Sequence, residues 1–215
     1  MTYPPISLKV WGEYACFTRP EMHTERVTYE VLTPSAARGV LEAIFWHKPM
    51  RWRVREIRVL KPIRHFSILR NEVGVKAARG AEGISIADER QQRHSLVLRD
   101  VAYVITADAY LPPGATDRDG QPIDEVKYRD QFRRRVERGQ CFQRPYLGTR
   151  EFAADFGPAA GDEQPIDVTA DLGRMLFDMD YSVNPPRPRF FEARLERGVL
   201  HVPAHLYDEI GGEAK

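Results

Sequence analysis

The stretch Met50–Ile63, "MRWRVREIRVLKPI", carries the pattern that decides the fold. Trp52 and Val54 are apolar on one phase of a two-residue alternation and Ile57 and Val59 on the other, so the pattern slips by one residue around Arg55 and Glu56. Side chains of a strand point alternately to its two faces, so the slip would turn half of this apolar set to the wrong face unless one residue is bulged out. The expectation is a strand with a β-bulge at Arg55 and Glu56. Just upstream, "TPSAARGVLEAIFWHKP" offers Thr33 as N-cap and Pro34 at the first helical position. Apolar residues follow at Ala37, Val40, Leu41 and Ile44, with Pro49 as a stop, which predicts a helix. Before it, "ISLKVWG" alternates Ile6, Leu8 and Val10 against Ser7, Lys9 and Trp11, a half-buried strand.

Downstream, "RHFSILRNEVG" keeps strand character to Gly74, and "SLVLRDVAYVITADAYL" supplies one long strand or two bent ones. Between them "VGVKAARGAEGISIADERQQRH" is rich in Gly, Ala and charge and has the composition of a long hairpin tip or loop. The turn cluster "PPGATDRDGQP" leads into a basic helix, after which "LGTREFAADF" can return as a strand. The order β-α-β-β-α-β is the ferredoxin-like arrangement, also used by RNA-recognition modules, and it is expected over residues 1–158. Composition shifts at "GPAAGDEQPIDVTADLG", and "RMLFDMDYSV" and "RFFEARLERGVLHVP" have the pattern of short strands. The expected fold is α+β, with a small antiparallel β domain over residues 159–215 that frays in "EIGGEAK".

Lys and Arg total 32 against 31 Asp and Glu, so any affinity for an anion has to come from local placement of charge. Cys16 and Cys141 are the only cysteines and lie outside any CxxC pattern, which supports neither a disulfide framework nor a zinc ribbon. Of His23, His65, His94, His201 and His205 only His201 and His205 stand at HxxxH spacing and the other three are scattered, so a metal site is not expected, nor is a cofactor. The most apolar stretch is broken by Arg99 and Asp100, and the N-terminus has no basic region followed by an apolar one. A soluble, cytoplasmic protein without membrane association is expected.

Local charge is concentrated in "VKYRDQFRRRVERGQCFQRPYLGTREF", which begins at Val126. At about 100° per residue, Lys127, Gln131, Arg134 and Arg138 fall in one narrow arc, and Tyr128, Phe132 and Val136 form an apolar stripe beside it. Either the arginines are solvated or paired with Asp130 and Glu137, or the ridge grips a polyanion. Arginine outnumbers lysine, which suits planar phosphate contacts, and Arg144 and Arg150 continue the charge among Phe142 and Tyr146. Arginines among exposed aromatics suit single-stranded RNA, whose bases stack while its phosphates take the charge.

Three blocks, "PSAARGVLEAIFWHKPMRW", "VLKPIRHFSILRNEV" and "GQCFQRPYLGTREF", resemble the Cas-five family of CRISPR-associated proteins, subtype d (also called c), of type I-C systems. The resemblance runs from the first strand through Phe156. It implies a metal-independent endoribonuclease that cuts CRISPR precursor RNA in the repeat hairpin, leaving a 2′,3′-cyclic phosphate. The product's 5′ handle then stays bound within the interference complex. Most other Cas-five proteins keep only the binding role, so a noncatalytic scaffold on the handle is the alternative. The family cuts with a tyrosine at the end of the first helix and a Lys-His pair on the second, and these positions here are Phe45, Lys127 and Tyr128. Lys127 is the expected stabiliser of the phosphorane or proton donor to the leaving oxygen. Tyr128 stands where a histidine was expected and needs help as a base, since a phenol titrates near about 10. Phe45 has no hydroxyl and can stack on a base or shape the pocket. His47, two residues on, is the candidate replacement base. Arg134, Arg138 and Arg144, with Lys76 and Arg79 in a thumb-like hairpin of the family, are the expected RNA contacts.

Overall fold

A computed structural model of the chain describes residues 3–22, 24–73, 85–116 and 120–210. In chain order the elements are β1 (Ile6–Ala15), α1 (Pro34–Ile44), β2 (Arg51–Val59), β3 (His65–Val73), α2 (Ile86–Glu89), β4 (Arg90–Tyr110) and α3 (Glu125–Glu137). They continue with β5 (Asp155–Pro158), β6 (Ala170–Asp180), β7 (Arg187–Glu196), β8 (Val199–His201) and α4 (Leu206–Glu209). One antiparallel sheet runs β5-β1-β4-β2-β8-β7-β6, with β3 paired to β4 off this path. Its first four strands have the order of a ferredoxin-like β-α-β-β-α-β unit.

The expected bulge is present: Val54 pairs Ala107 and Glu56 pairs Thr106, leaving Arg55 as the extra residue. Trp52, Val54, Ile57 and Val59 are all buried as a result. Beyond the end of β8 the bulge is satisfied by α4, whose Tyr207 hydroxyl accepts from Val54 N–H at 2.7 Å and donates to Val54 C=O at 3.1 Å. Arg55 C=O accepts from Val202 N–H at 2.8 Å. Burial raises the Tyr207 phenol above its ordinary value, so it stays a protonated donor.

The long apolar run is a single strand, β4, with Asp100 at φ 54 where pairing passes from β3 to β1 and β2. Aspartate tolerates this left-handed conformation better than most residues. Two expectations shift. The return strand is Asp155–Pro158 rather than "LGTREFAADF", because Leu147 to Phe152 form a turn whose Gly148 has φ +87 and lies against Cys16; a Cβ there would meet Cys16 C=O at 2.0 Å. Helix α1 ends at Ile44, ahead of Pro49, since Phe45 is already extended.

The boundary expected at residue 158 falls between β5 and β6. Beyond it the sheet continues through β8 on β2, and Arg38 of α1 forks onto Asp178 of β6 with Nε and Nη2 contacts of 2.7 and 2.8 Å. Ser35 donates to the same carboxylate at 3.1 Å. Among the described residues no helix is long and apolar enough to cross a membrane.

Candidate active site

The site is built where the C-terminus of α1 meets α3. The last carbonyls of a helix have no partner within it. Here the last two find partners elsewhere in the chain: Ala43 C=O accepts from Phe142 N–H and Gln143 N–H at 2.9 and 3.0 Å, and Ile44 C=O from Arg135 Nη1 at 2.7 Å. Phe45 C=O accepts from Trp52 Nε1 at 3.0 Å. The segment "GQCF" and the basic helix therefore fix the direction in which the chain leaves α1. Gly139, at φ 62, ends α3 and lets the chain double back to make these bonds.

Because the chain is extended at Phe45, Phe45 and His47 both turn toward Tyr128 of α3. The rings of His47 and Tyr128 lie 4.6 Å apart between centroids, and the Tyr128 hydroxyl is 3.1 Å from Nδ1 and 3.3 Å from Nε2 of His47. Phe45 meets Tyr128 edge-on at 5.8 Å and carries the Arg135 guanidinium over its ring at 5.2 Å. Phe45 is 3% exposed. Its ring thus shapes the floor under Tyr128 and presents no face on which a base could stack. Tyr128 and His47 were expected from separate arguments, and the fold brings them into contact. Lys127 lies in the first turn of α3, exposed, and enters none of the ion pairs among the described residues. A helix N-terminus adds the partial positive charge of its unpaired N–H groups to such an ammonium.

The rest of α3 separates into two sets. Tyr128, Phe132 and Val136 are buried, with Phe132 4.7 Å from Trp52 between ring centroids. Arg129 is buried as well, donating to Pro4 C=O and pairing Glu125 at 3.4 Å. Arg134 and Arg138 are exposed; Arg134 reaches back to Asp130 C=O at 3.4 Å. Arg144 is exposed but ion-paired to Asp155 at 2.7 Å, an arrangement worth little in water and open to exchange for a phosphate. Lys76 and Arg79 lie outside the described residues, as does His23. The structural duties of Arg129 and Arg135 were missed from sequence, although their helical angles, at the two margins of the apolar stripe, point to them.

Fold and site together define a ferredoxin-like α+β protein that sets a tyrosine, a histidine and a lysine at the edge of a cationic helix. The sequence matches the family described as CRISPR-associated protein (Cas5), subtype Cas5d, over residues 6–203. The chain belongs to the Cas5d family of CRISPR-associated proteins. It is 48% identical to the CRISPR pre-crRNA endoribonuclease Cas5d of Thermus thermophilus over 95% of this chain and 94% of that protein. It is 43% identical to the protein of the same name from Mannheimia succiniciproducens, over 95% and 97%. Among solved structures, a crystal structure of a CRISPR-associated protein superposes with a TM-score of 0.70 at 21% identity, covering 95% of each chain. A chain of a CRISPR RNA-guided surveillance complex does so at 0.50 and 13%, covering 98% of this chain and 95% of that one.

Proposed function

We propose that this protein is an endoribonuclease that cuts CRISPR precursor RNA in the repeat and keeps the 5′ handle of its product. Two relatives of nearly equal length carry the name pre-crRNA endoribonuclease. The observation that carries the chemistry is the Tyr128 hydroxyl resting on the His47 ring one residue from Lys127. Attack of an RNA 2′-hydroxyl on the adjacent phosphate needs a proton acceptor, neutralisation of the phosphorane and a proton for the 5′-oxygen. A phenol alone is a weak acceptor at neutral pH. With its own proton donated to His47, the Tyr128 oxygen accepts the 2′-hydroxyl proton while the imidazole takes the phenolic one. His47 thus does the work expected of the histidine that Tyr128 replaces on α3. Lys127 faces the phosphate, holds its charge and protonates the leaving 5′-oxygen. The products are a 2′,3′-cyclic phosphate and a 5′-hydroxyl.

Arg134 and Arg138 continue the cationic face from Lys127 along the helix and hold the flanking phosphates, with Arg144 exchanging Asp155 for RNA. Lys76 and Arg79 extend the grip to the handle. The protein works in the cytoplasm without a metal or cofactor and joins the other subunits of a type I-C interference complex. The strands beyond residue 158 act as a small β unit that extends the sheet from β2. The test is to incubate repeat RNA with the protein, map the cut, and repeat the reaction with a 2′-deoxy nucleotide on the 5′ side of it. The reading expects one cut, a cyclic phosphate end, and no cleavage of the deoxy substrate. Cleavage of that substrate would exclude 2′-hydroxyl attack, and binding with no cleavage would leave the protein a scaffold on the handle.

A further inference from the structure

Two large rings at the junction of α1 and α3 stay out of the core. Trp46 is 55% exposed and Phe142 75%, the highest value among the exposed large apolar side chains of the described residues. Both are set by the geometry that builds the site. The chain leaves α1 extended at Phe45, and Phe45 and His47 both meet Tyr128, so the residue between them turns away from that ring. That residue is Trp46. Phe142 is placed by its own backbone, since its N–H and that of Gln143 both donate to Ala43 C=O in the last turn of α1. Neither ring has an aromatic or cationic partner among the described residues.

Their surroundings are cationic. Lys48, Lys127 and Arg138 are exposed and enter none of the ion pairs among the described residues, while of the acids along these elements Glu42 and Asp130 are taken by Arg38 and Arg133 and Glu137 is exposed beside Arg138. An apolar protein partner would bury such rings among other apolar groups. A flat π face bordered by unpaired cations suits an occupant that is itself a flat ring attached to an anion, which is a nucleotide.

We propose that Trp46 and Phe142 are stacking platforms for unpaired RNA bases on either side of the phosphate held by Lys127, Tyr128 and His47. This rests on the endoribonuclease reading. The two are substrate-positioning residues. A base fixed on Trp46, whose neighbours in the chain both touch Tyr128, holds its ribose against the site and restricts the strand to the geometry in which the 2′-oxygen lines up with the phosphate. Stacking on a ring tolerates any base, so this selects unpaired RNA rather than a sequence.

The test uses repeat RNA 2′-O-methylated throughout, which cannot be cut, with single abasic positions scanned through its unpaired segments. Trp46→Ala and Phe142→Ala should each weaken binding by about tenfold, and Trp46→Phe should restore most of the loss. One abasic position should weaken wild type about as much as Trp46→Ala does and add little to the loss in that variant. If the alanine variant melts early, quenching of tryptophan emission by the methylated RNA, present in wild type and absent in Trp46→Phe, gives the same readout. Wild-type affinity in both alanine variants, or abasic losses that multiply independently of Trp46 and Phe142 at every position, would overturn the proposal. A wild-type protein that binds the methylated RNA with this coupling yet leaves unmodified RNA whole would overturn the nuclease reading and leave the platforms standing.

Discussion

The two sides of α3 carry the same residue type to opposite ends. On the inner side Arg129 and Arg135 spend their guanidinium groups on Pro4 and Ile44 carbonyls, over the rings of Tyr3 and Phe45. On the outer side Arg134 and Arg138 hold no carboxylate among the described residues, and Lys127 shares their arc. A count of cations in the segment therefore overstates the surface available to RNA. What separates the sets is their angle around the helix axis, about 60° from the outer arc for Arg135 and about 140° for Arg129, which decides whether a side chain meets the rest of the fold or water. Tyr128 sits at the seam, its ring on Phe45 and its hydroxyl on His47.

The largest effect should come at that seam. Lys127→Ala, Tyr128→Phe and His47→Ala should each slow repeat-RNA cleavage by about 10²–10⁴-fold with binding nearly kept, the loss expected when a positioned proton-transfer group is removed. Single-turnover rates beside gel-shift affinities check this, and a Tyr128→Phe rate equal to wild type would end the relay through its hydroxyl. Next, Phe132→Ala should cost about 3–5 kcal/mol of stability, read from the denaturant midpoint, because the ring fills the space against Trp52. Arg129→Ala should cost about 1.5–3 kcal/mol by removing the charged donor that holds Pro4 C=O. Equal destabilisation by Arg134→Ala would erase the contrast between the two sides. The smallest change in stability, within about 0.5 kcal/mol, is expected for the double variant Arg134→Ala, Arg138→Ala. Its effect belongs to RNA: affinity should fall, and the slope of log affinity against log salt should flatten by about 0.7 for each lost phosphate contact. An unchanged slope would remove both arginines from the interface.

Much of the frame was legible because it rests on local periodicity. The slip between Val54 and Ile57 announced the bulge at Arg55, Thr33 and Pro34 announced α1, and the arc from Lys127 to Arg138 announced the outward ridge. The features that periodicity missed depend on residues far apart in the chain. Tyr207 caps the bulge from 153 residues away, and Arg135 caps α1 from 91. No local pattern signals such a bond, although an arginine at the margin of an apolar stripe hints at one. The contact of His47 with Tyr128 was legible only as two separate candidates. What joins them is the tie between "GQCF" and Ala43, which aims the end of α1 at the second helix.

The central claim is that Lys127, Tyr128 and His47 cut RNA through its own 2′-hydroxyl with no metal ion. Its most direct measurement is cleavage of the cognate repeat RNA in EDTA by wild type and Lys127→Ala side by side. The account predicts a single cut by wild type and a strong loss of that cut in the variant, with both proteins binding the RNA. Cleavage abolished by EDTA, or a Lys127→Ala protein that cuts as wild type does, would contradict it.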